Sequence, residues 1–580
     1  MNLSPEEKQI GKQNFDEAVG TTRREFLQTS VLVGGAAAAA GLGSIYFGYG
    51  PRLDDRLRVG IIGTGDEGGV LIGALNPDYI DVVALADIRP YSIHRAFYGD
   101  WYSPGAHAAR PGLLDVYRQR EGWTDRAAAE KHIKLYTNGY SELLDDANVE
   151  AVIIALPLHL HHEAAVAAMR KGKHVLTEKL MAHDVAECKE MARVAKETRL
   201  ILAVGHQRHY SILYDNAVDQ IRRDLIGDIH HIRAQWHRGN LPGSDSWQPP
   251  LPGDKALQSE LNSWESVLNG KHPKVPKPTS PDDVTEWTRK VEQKQAQIND
   301  ITNELAEKYG YQAKTLEGGY QRSALEELIR WRLWDRTGGG LMAELGSHQL
   351  DAASIFISAQ QPGGRKAKPL SVTGVGGRHI FPADRECDDH VYCTFEFPGP
   401  GYYEDDTAAG VSEAGHKIAD PNKKIVVTYS SINGNGFGGY GETVFGTKGT
   451  LILEQEVDAM LFKGSMTTTR VEVKLTDKGP VMDTYETGGG AAVAQAATAG
   501  NTSRGYREEI EHWAWCIKNP DPAHKPRCTP EVALADAVIA LTSNLAIERK
   551  ERIEFKPEWF DADRSETPEG NPPRQALQVT

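Results

Sequence analysis

Three side chains in the sequence combine proton-transfer chemistry with positions where a reaction could use it. Lys179 directly follows a short β-rich run; its amine could take a hydroxyl proton, and in the reverse direction its ammonium could polarise a carbonyl. Glu344 and His348 stand four residues apart, which places both on one face of the helix predicted over 341–356. Histidine changes protonation near neutral pH, which suits acid/base work. Both features also have structural interpretations, as a surface Glu-Lys pair and as a hydrogen-bonded pair along a helix.

A glycine-rich turn near the start of the chain predicts a site for a dinucleotide. A β-rich run over 57–62 leads into Gly63, Gly65 and Gly68, and a helical stretch follows. In this setting the first glycine permits a tight turn, the second lets backbone amides approach a pyrophosphate, and the third permits close helix packing. The amino terminus of the helix adds a favourable dipole for the anion.

An acidic residue after the next strand indicates which dinucleotide is bound. Asp87 lies 22 residues after Gly65, at the end of an apolar strand. Its carboxylate would accept hydrogen bonds from the ribose hydroxyls and repel a 2′-phosphate, so NAD is favoured. Arg89, two residues further on, keeps NADP open.

The alternation of strands and helices continues to residue 205 and defines the fold class of the first domain. Apolar runs of strand length alternate with helical stretches, which is typical of an α/β Rossmann domain with a doubly wound parallel sheet. Ligands bind such sheets at the carboxyl ends of the strands. The residues predicted at such ends are Pro157, Glu178, Lys179 and the segment 205–210. Residues 370–480, in contrast, have the pattern of antiparallel strands.

These motifs, in this order, resemble the Gfo/Idh/MocA oxidoreductases, the family of glucose-fructose oxidoreductase and inositol dehydrogenase. The matching segments are the glycine turn, Pro157 with His161 four residues later, 172–175 before Glu178-Lys179, and 338–348. The resemblance spans about 57–240 and 330–555. It implies a Rossmann domain followed by an α+β domain with an open, mainly antiparallel sheet, and an active site between the two.

The resemblance also implies roles for single residues. Lys179 would be the catalytic base, and His348 an acid/base or hydroxyl ligand oriented by Glu344. The residues implied beside the cofactor are Pro157, His161, Glu178, Lys179 and Gln207, of which Gln207 could equally belong to a hinge. Two positions depart from the family pattern: Leu180 replaces a proline, and Glu344 replaces an aspartate and reaches one methylene further.

The composition excludes several classes of function. The 580 residues are 40% hydrophobic and 25% charged, which excludes a wholly disordered chain and a polytopic membrane protein. A net charge of −15 argues against nucleic acid as a main partner. The five cysteines lack Cys-x-x-Cys spacing, so no structural zinc is expected. His159, His161 and His162 could bind a metal, but we expect none because His161 already belongs to the family pattern.

The first residues have the pattern of an export signal. Arg23-Arg24 precede an uncharged, Ala/Gly-rich run over 29–49, as in twin-arginine signals, although an Arg-Arg pair also occurs before ordinary helices. The run is long enough to span a bilayer but weakly apolar. We expect cleavage near its alanines or, as the alternative, a retained membrane anchor. The protein would then be a substrate of the twin-arginine machinery and reside in the periplasm.

These patterns divide the chain into four parts. They are 1–50, a signal or anchor; 51–205, the Rossmann NAD(P)-binding domain; 206–555, a substrate and oligomerisation domain; and 556–580, a flexible tail. The second domain carries an insertion at about 241–330 with a helix predicted over 282–309, which could pack on its own domain, cover the cleft or contact another subunit. Because family members often pair through the open sheet, a homodimer or homotetramer is expected.

Three hypotheses for the function follow. The first is an NAD(P)-dependent oxidoreductase that acts on a sugar, polyol or sugar derivative, with a tightly bound cofactor because soluble NAD is scarce outside the cytoplasm. The second is a redox-neutral NAD-dependent glycosidase or lyase that works through a transient keto-sugar. The third is a non-catalytic carbohydrate-binding relative. Product analysis distinguishes the first two, because only the second releases an aglycone without net oxidation.

Overall fold

The computed structural model describes residues 3–19, 42–404, 417–476, 479–485 and 504–570. Three predicted features lie wholly or mainly outside the described residues: the twin-arginine pair, the alanine run that follows it and the end of the tail at 571–580.

The strands and helices follow the chain in this order. The strands are β1 Leu57–Ile62, β2 Ile80–Ala86, β3 Lys134–Tyr136, β4 Ala151–Ile154, β5 His174–Glu178, β6 Leu202–Gly205, β7 Ile229–Arg238, β8 Lys314–Thr315, β9 Gln321–Arg322, β10 Ser371–Gly377, β11 His390–Pro398, β12 Lys424–Asn433, β13 Tyr440–Gly446, β14 Gly449–Glu454, β15 Asp458–Lys463, β16 Arg470–Thr476, β17 Gly479–Tyr485 and β18 Ile553–Glu554. The α-helices are Pro5–Glu17, Leu42–Phe47, Asp66–Ala74, Pro90–Tyr98, Pro104–Ala109, Leu113–Val116, Arg118–Glu121, Arg126–Ala129, Ser141–Leu144, His161–Arg170, Val185–Thr198, Ile212–Arg222, Lys255–Leu268, Pro281–Ile298, Asn303–Lys308, Ala324–Ile329, Ser347–Ala359, Tyr506–Lys518 and Pro530–Arg549.

The first domain is built on a parallel sheet with the order β3-β2-β1-β4-β5-β6. Its central strands are apolar and buried on both faces because helices cover the sheet on each side, as parallel sheets require. The strand order reverses between β1 and β4, and this is the crevice where such sheets bind nucleotides. The structure therefore confirms the predicted Rossmann fold.

The second domain is built on a mainly antiparallel sheet with the order β15-β14-β13-β7-β12-β11-β10-β18. Only the central pair β7–β12 is parallel. Buried and half-buried residues alternate strictly along β12, which is the pattern of a sheet with one covered face. Helices Ser347–Ala359 and Pro530–Arg549 pack on the sheet, so the predicted α+β architecture is confirmed.

Among the described residues, one helix is long and apolar enough to cross a membrane by length and composition alone. It is Pro530–Arg549, and most of its apolar window is buried inside the protein. Its contacts with β10 and with helices Val185–Thr198 and Ser347–Ala359 show that it is a core helix that joins the two domains.

Parts of both chain ends pack on the folded body, unlike the predicted division at residues 50 and 556. Helix Pro5–Glu17 lies against β15, where the Asn14 side chain donates to the Leu461 carbonyl at 3.0 Å and Phe15 is buried. At the other end, the Glu569 carboxylate accepts from the backbone amide of Val185 at 2.7 Å and so caps a helix. The predicted flexible tail is therefore packed as far as residue 570, because this carboxylate satisfies amides at a helix amino terminus.

The insertion packs on the Rossmann domain through polar side chains. Gln293, on helix Pro281–Ile298, donates to Asp100 at 2.8 Å and accepts from the Trp101 amide at 2.6 Å. Gln293 and Lys294 are buried, whereas Val284 on the same helix is exposed. Hydrogen bonding to the Rossmann domain therefore selects the buried face of this helix. The helix predicted over 282–309 is also interrupted after Ile298, and a new helix starts at Asn303.

Candidate active site between the two domains

A single large cavity brings the predicted site residues together. Its volume is about 1630 Å³, and its walls come from the Rossmann domain, the second domain and the insertion. This exceeds the size of an ordinary small-molecule pocket and leaves room for a dinucleotide beside a substrate. The predicted residues that line it are Gly63, Gly65, Asp87, Arg89, Pro157, His161, Glu178, Lys179, Glu344 and His348.

The glycines of the turn after β1 have the three different roles expected of them. Gly63 has φ +87°, and a Cβ there would lie 2.4 Å from the Ala155 carbonyl oxygen. A Cβ on Gly68 would lie 2.3 Å from the Gly63 carbonyl oxygen. A Cβ on Gly65, the N-cap of helix Asp66–Ala74, would meet no atom within 4 Å. Gly65 thus borders open space where backbone amides can receive a pyrophosphate.

Asp87 is held rigidly at the end of β2. One carboxylate oxygen accepts from the Thr64 amide at 2.7 Å and the Thr64 hydroxyl at 3.0 Å, and the other accepts from the Arg89 amide at 2.8 Å. Burial raises the pKa of the Asp87 carboxyl, and these hydrogen bonds partly offset the rise. The carboxylate is therefore fixed at the cavity wall, where it can recognise a ribose.

Glu178 has the free hydrogen-bonding capacity that a bound cofactor would use. Its Oε2 accepts from the Lys179 amide at 3.1 Å, whereas its Oε1 is buried and has no hydrogen-bond partner among the described residues. Burial, and next the negative charge of Glu67, raise the pKa of Glu178 to about 8. An unpartnered buried oxygen is costly, and a ribose hydroxyl would satisfy it. The open space at Gly65 and this oxygen both fit a dinucleotide.

The raised pKa of Glu178 predicts an alkaline loss of stability in the cofactor-free protein. Because the folded protein holds this proton more tightly than the unfolded chain, stability falls as pH rises from about 4.5 through about 8. We expect Glu178→Gln to be more stable than the unsubstituted protein by about 1–3 kcal/mol at about pH 9 and nearly equal at about pH 5. Denaturant titrations at both pH values measure the difference. Glu142→Gln, at an exposed glutamate, is the control, and a Glu178→Gln difference that did not change with pH would contradict the assignment.

Lys179 extends from the end of β5 to the second domain. Its Nζ donates to the main-chain carbonyl of Glu344 at 3.0 Å, and the peptide bond between Lys179 and Leu180 is cis. The ammonium is thereby held at the cavity wall between the two domains. This placement supports the choice of Lys179 over the interpretation as an unconstrained surface lysine.

His161 supports the strand ends through both nitrogens of its ring. Its two ring nitrogens lie 2.8 Å from the Leu180 carbonyl and 2.9 Å from the Leu156 carbonyl. Both nitrogens are therefore engaged by main chain, and since His161 also lines the cavity, its predicted contact with the cofactor would be made by the rest of the ring. The neighbouring histidines have other partners, since His162 contacts Glu190 and His159 packs on Tyr311. The three rings do not converge on one point, as a shared metal would require.

Glu344 and His348 both line the cavity, but the carboxylate does not orient the imidazole as expected. Glu344 accepts from Nε of Arg332 at 3.1 Å. It lies in a π-helical turn, Met342–Gly346, whose wider winding changes the relation between positions four apart. The His348 ring packs at 5.4 Å from that of Trp236. Burial, followed by the positive charge of Lys179, holds the pKa of His348 well below its ordinary value, so the imidazole is neutral.

Gln207 does not reach the cavity, contrary to the prediction. It is 1% exposed and does not line the cleft. The adjacent Arg208 turns into the second domain, where it donates to Glu456 at 2.7 Å, to Glu442 at 3.0 Å and to the main-chain carbonyl of His348 at 2.7 Å. This segment therefore positions His348 from behind and does not contact a ligand.

Aromatic and cationic side chains that the sequence left out of the predicted site also line the cavity. Trp236 stacks on Tyr440 at 4.4 Å, and Arg238 lies 5.7 Å from the Trp236 ring. They come from β7 and β13, which are adjacent strands of the second sheet. Their position at the end of β7 was the available signal, but a tryptophan at a strand end is more often part of a core.

Comparison with known proteins agrees with the Rossmann fold of the first domain and with NAD as its cofactor. Residues 57–206 match the profile of the Gfo/Idh/MocA family, an oxidoreductase family with an NAD-binding Rossmann fold. The similarity covers about a quarter of the chain, and over this segment it indicates a Rossmann domain that binds NAD.

Several curated relatives resemble part of the chain. An uncharacterized oxidoreductase of Schizosaccharomyces pombe is 32% identical over 154 residues, which is 25% of this chain and 41% of that protein. A glycosyl hydrolase family 109 protein of Solibacter usitatus is 25% identical over 225 residues, 37% of this chain and 46% of the relative. The dTDP-3,4-didehydro-2,6-dideoxy-alpha-D-glucose 3-reductase of Streptomyces violaceoruber is 34% identical over 111 residues, 19% of this chain and 32% of the relative. The chain spans less than half the length of each.

Proposed function

We propose that the protein is an NAD-dependent oxidoreductase that acts on a sugar, a polyol or a sugar derivative and keeps its cofactor bound. The observation that carries this proposal is the shared cavity, which is lined by Gly65 of the glycine turn, by Glu178 with its unpartnered buried oxygen, and by Lys179 and His348. The names of relatives support the substrate class, because one of them is a reductase of a nucleotide-linked sugar.

The geometry supports a division of labour among the side chains. A nicotinamide bound here would exchange a hydride with a carbinol carbon. Glu178 would accept from the adjoining ribose through Oε1, and Lys179 would take the hydroxyl proton from its fixed position near the Glu344 carbonyl. The neutral imidazole of His348 would hold the same hydroxyl by a hydrogen bond, while Trp236 and Tyr440 give a sugar ring an aromatic surface.

The insertion would add contacts to a cofactor bound by the Rossmann domain. It lines the cavity with Leu257, Gln293 and Asp300. These added contacts would slow the release of a bound dinucleotide. Protein purified without added nucleotide should therefore release close to one equivalent of NAD on denaturation, which mass spectrometry identifies and quantifies. An empty protein that also fails to bind added NAD would refute the cofactor assignment.

A panel of sugars, polyols and glycosides tests the reaction. Oxidation of one member should reduce the bound nicotinamide, which is followed by its near-ultraviolet absorbance, and yield an oxidised product. Release of an aglycone without net oxidation would replace the proposal by redox-neutral cleavage. Sugar binding without any chemistry would replace it by a carbohydrate-binding role.

We also propose export through the twin-arginine pathway to the periplasm, on the basis of Arg23-Arg24 and the run after it. The packing of helix Pro5–Glu17 favours a retained amino terminus over cleavage, because cleavage near the alanines would uncover the surface on which Phe15 packs. Cell fractionation and the intact mass of the exported protein test both points.

A homo-oligomer formed through the second sheet is proposed as well. The strands β10 and β11 carry exposed apolar side chains, Val375 and Tyr392, on one face. Burial of such side chains drives association. Light scattering on the purified protein should give at least twice the mass of the 63.8 kDa chain, and a monomer would refute the proposal.

A further inference from the structure

The arginine nearest the ribose-binding carboxylate is neutralised by the insertion. Nη2 and Nε of Arg89 lie 2.7 Å and 2.9 Å from the same carboxylate oxygen of Asp300. The other oxygen of Asp300 accepts from the Tyr91 amide at 3.2 Å. The Asp300 side chain is fully buried. Asp300, which lies outside the Rossmann domain, thus accepts two hydrogen bonds from the guanidinium of Arg89.

The position of Asp300 is fixed by the packing of the insertion. It follows helix Pro281–Ile298, which Gln293 fastens to Asp100 and Trp101 of the Rossmann domain, and Ile301 beside it is buried. The contact therefore rests on a packed helix end and on two hydrogen bonds to one arginine, and both Arg89 and Asp300 line the cavity.

The other arginines at this end of the cavity are also paired. Arg95 lies 2.6 Å from an oxygen of Asp66, and Arg110 lies 2.6 Å from an oxygen of Asp100. A 2′-phosphate on the adenosine ribose would need a cation with free donors beside Asp87. Arg89 is the cation best placed to supply them, but its guanidinium is already paired with the carboxylate of Asp300.

We infer that Asp300 is a specificity-determining residue that makes the site select NAD over NADP. With Asp300 present, a 2′-phosphate would meet the carboxylate of Asp87 and a guanidinium that is already engaged by the buried carboxylate of Asp300. Without the Asp300 charge, Arg89 keeps its place in the cavity and gains free donors. The insertion therefore contributes to cofactor choice in addition to lining the cavity. This inference rests on the proposed binding of a dinucleotide by the Rossmann domain.

The test is a competition between the two cofactors in the variant Asp300→Asn, which keeps the size of the side chain and removes its charge. Full-length protein is first stripped of its resident nucleotide, then equilibrated with equal concentrations of NAD and NADP, freed of unbound nucleotide and denatured, and the bound nucleotides are quantified. The ratio of NADP to NAD should rise about tenfold or more, the gain of one charge-assisted contact. Glu292→Gln is the matched control, since Glu292 is an insertion carboxylate that is paired with Arg289 and does not line the cavity, and it should leave the ratio unchanged.

The double variant Arg89→Met with Asp300→Asn isolates the mechanism. If Asp300 acts through Arg89, the rise in the ratio disappears when Arg89 is absent. An unchanged ratio in Asp300→Asn, with NAD still bound and the melting temperature near that of the unsubstituted protein, would overturn the inference and leave the proposed function intact. A rise that persists without Arg89 would also overturn it. Absence of either nucleotide from every variant, the unsubstituted protein included, would instead refute dinucleotide binding itself.

Discussion

Replacing Lys179 by alanine should lower the rate of sugar oxidation by about 10²–10⁴-fold while NAD remains bound. The side-chain amine of Lys179, in its neutral form, is the group best placed to accept the hydroxyl proton, because its hydrogen bond to the Glu344 carbonyl holds it at the wall shared by both domains. The Lys179 side chain is not part of the glycine turn that would bind the pyrophosphate, so NAD should remain bound. The measurement is the single-turnover reduction of the bound nicotinamide by the best sugar of the panel, together with the nucleotide content of the variant.

Two further variants show whether the effect is specific. Lys171→Ala removes an exposed lysine paired with Asp145 from the same part of the first domain, and it should leave the rate unchanged. Lys179→Arg keeps the charge but cannot give up a proton near neutral pH, so it should remain slow. A Lys179→Ala protein that oxidises sugar at the full rate would disprove the catalytic role of this residue.

Replacing Gly65 by aspartate should weaken NAD binding by about 100-fold or more without destabilising the protein. The new side chain would enter the open space beside the turn and place a negative charge where the pyrophosphate belongs. Gly65 is also the N-cap of helix Asp66–Ala74, and aspartate is a preferred N-cap residue, so the melting temperature should hold or rise. Nucleotide content and a thermal melt measure the two effects.

The neighbouring glycine should give the opposite result. Gly63→Ala must place a Cβ 2.4 Å from the Ala155 carbonyl oxygen at φ +87°, so the loop has to shift. We expect a loss of about 2–4 kcal/mol of stability, whatever the state of the cofactor site. Gly65→Ser, a neutral N-cap, should bind NAD better than Gly65→Asp. Equal losses of stability in the Gly63 and Gly65 variants would show that Gly65 is only a structural residue.

The fold of the first domain and the identity of its cofactor could be predicted from the sequence. The apolar runs of β1, β2, β4 and β5 are long enough and regular enough to be read without a structure, and the glycine spacing is dictated locally by backbone sterics. The strand pattern of residues 370–480 likewise predicted the second sheet. Lys179, Glu178 and Asp87 were found because strand ends of a parallel sheet meet at one edge, and that rule needs only the order of the strands.

The tertiary structure was needed to show which side chains contact one another when they are far apart in the sequence. Glu344 accepts a hydrogen bond from Arg332, and the ring of His161 is hydrogen-bonded to two main-chain carbonyls. Gln207 is buried away from the cavity. No local sequence pattern predicts any of these contacts. The pairing of Arg89 with Asp300 joins residues 211 positions apart. Hydrogen bonds and ion pairs at that separation depend on how whole elements pack, whereas strands, turns and caps depend on neighbours in sequence. The cofactor seat could therefore be predicted, and the partners that tune it could not.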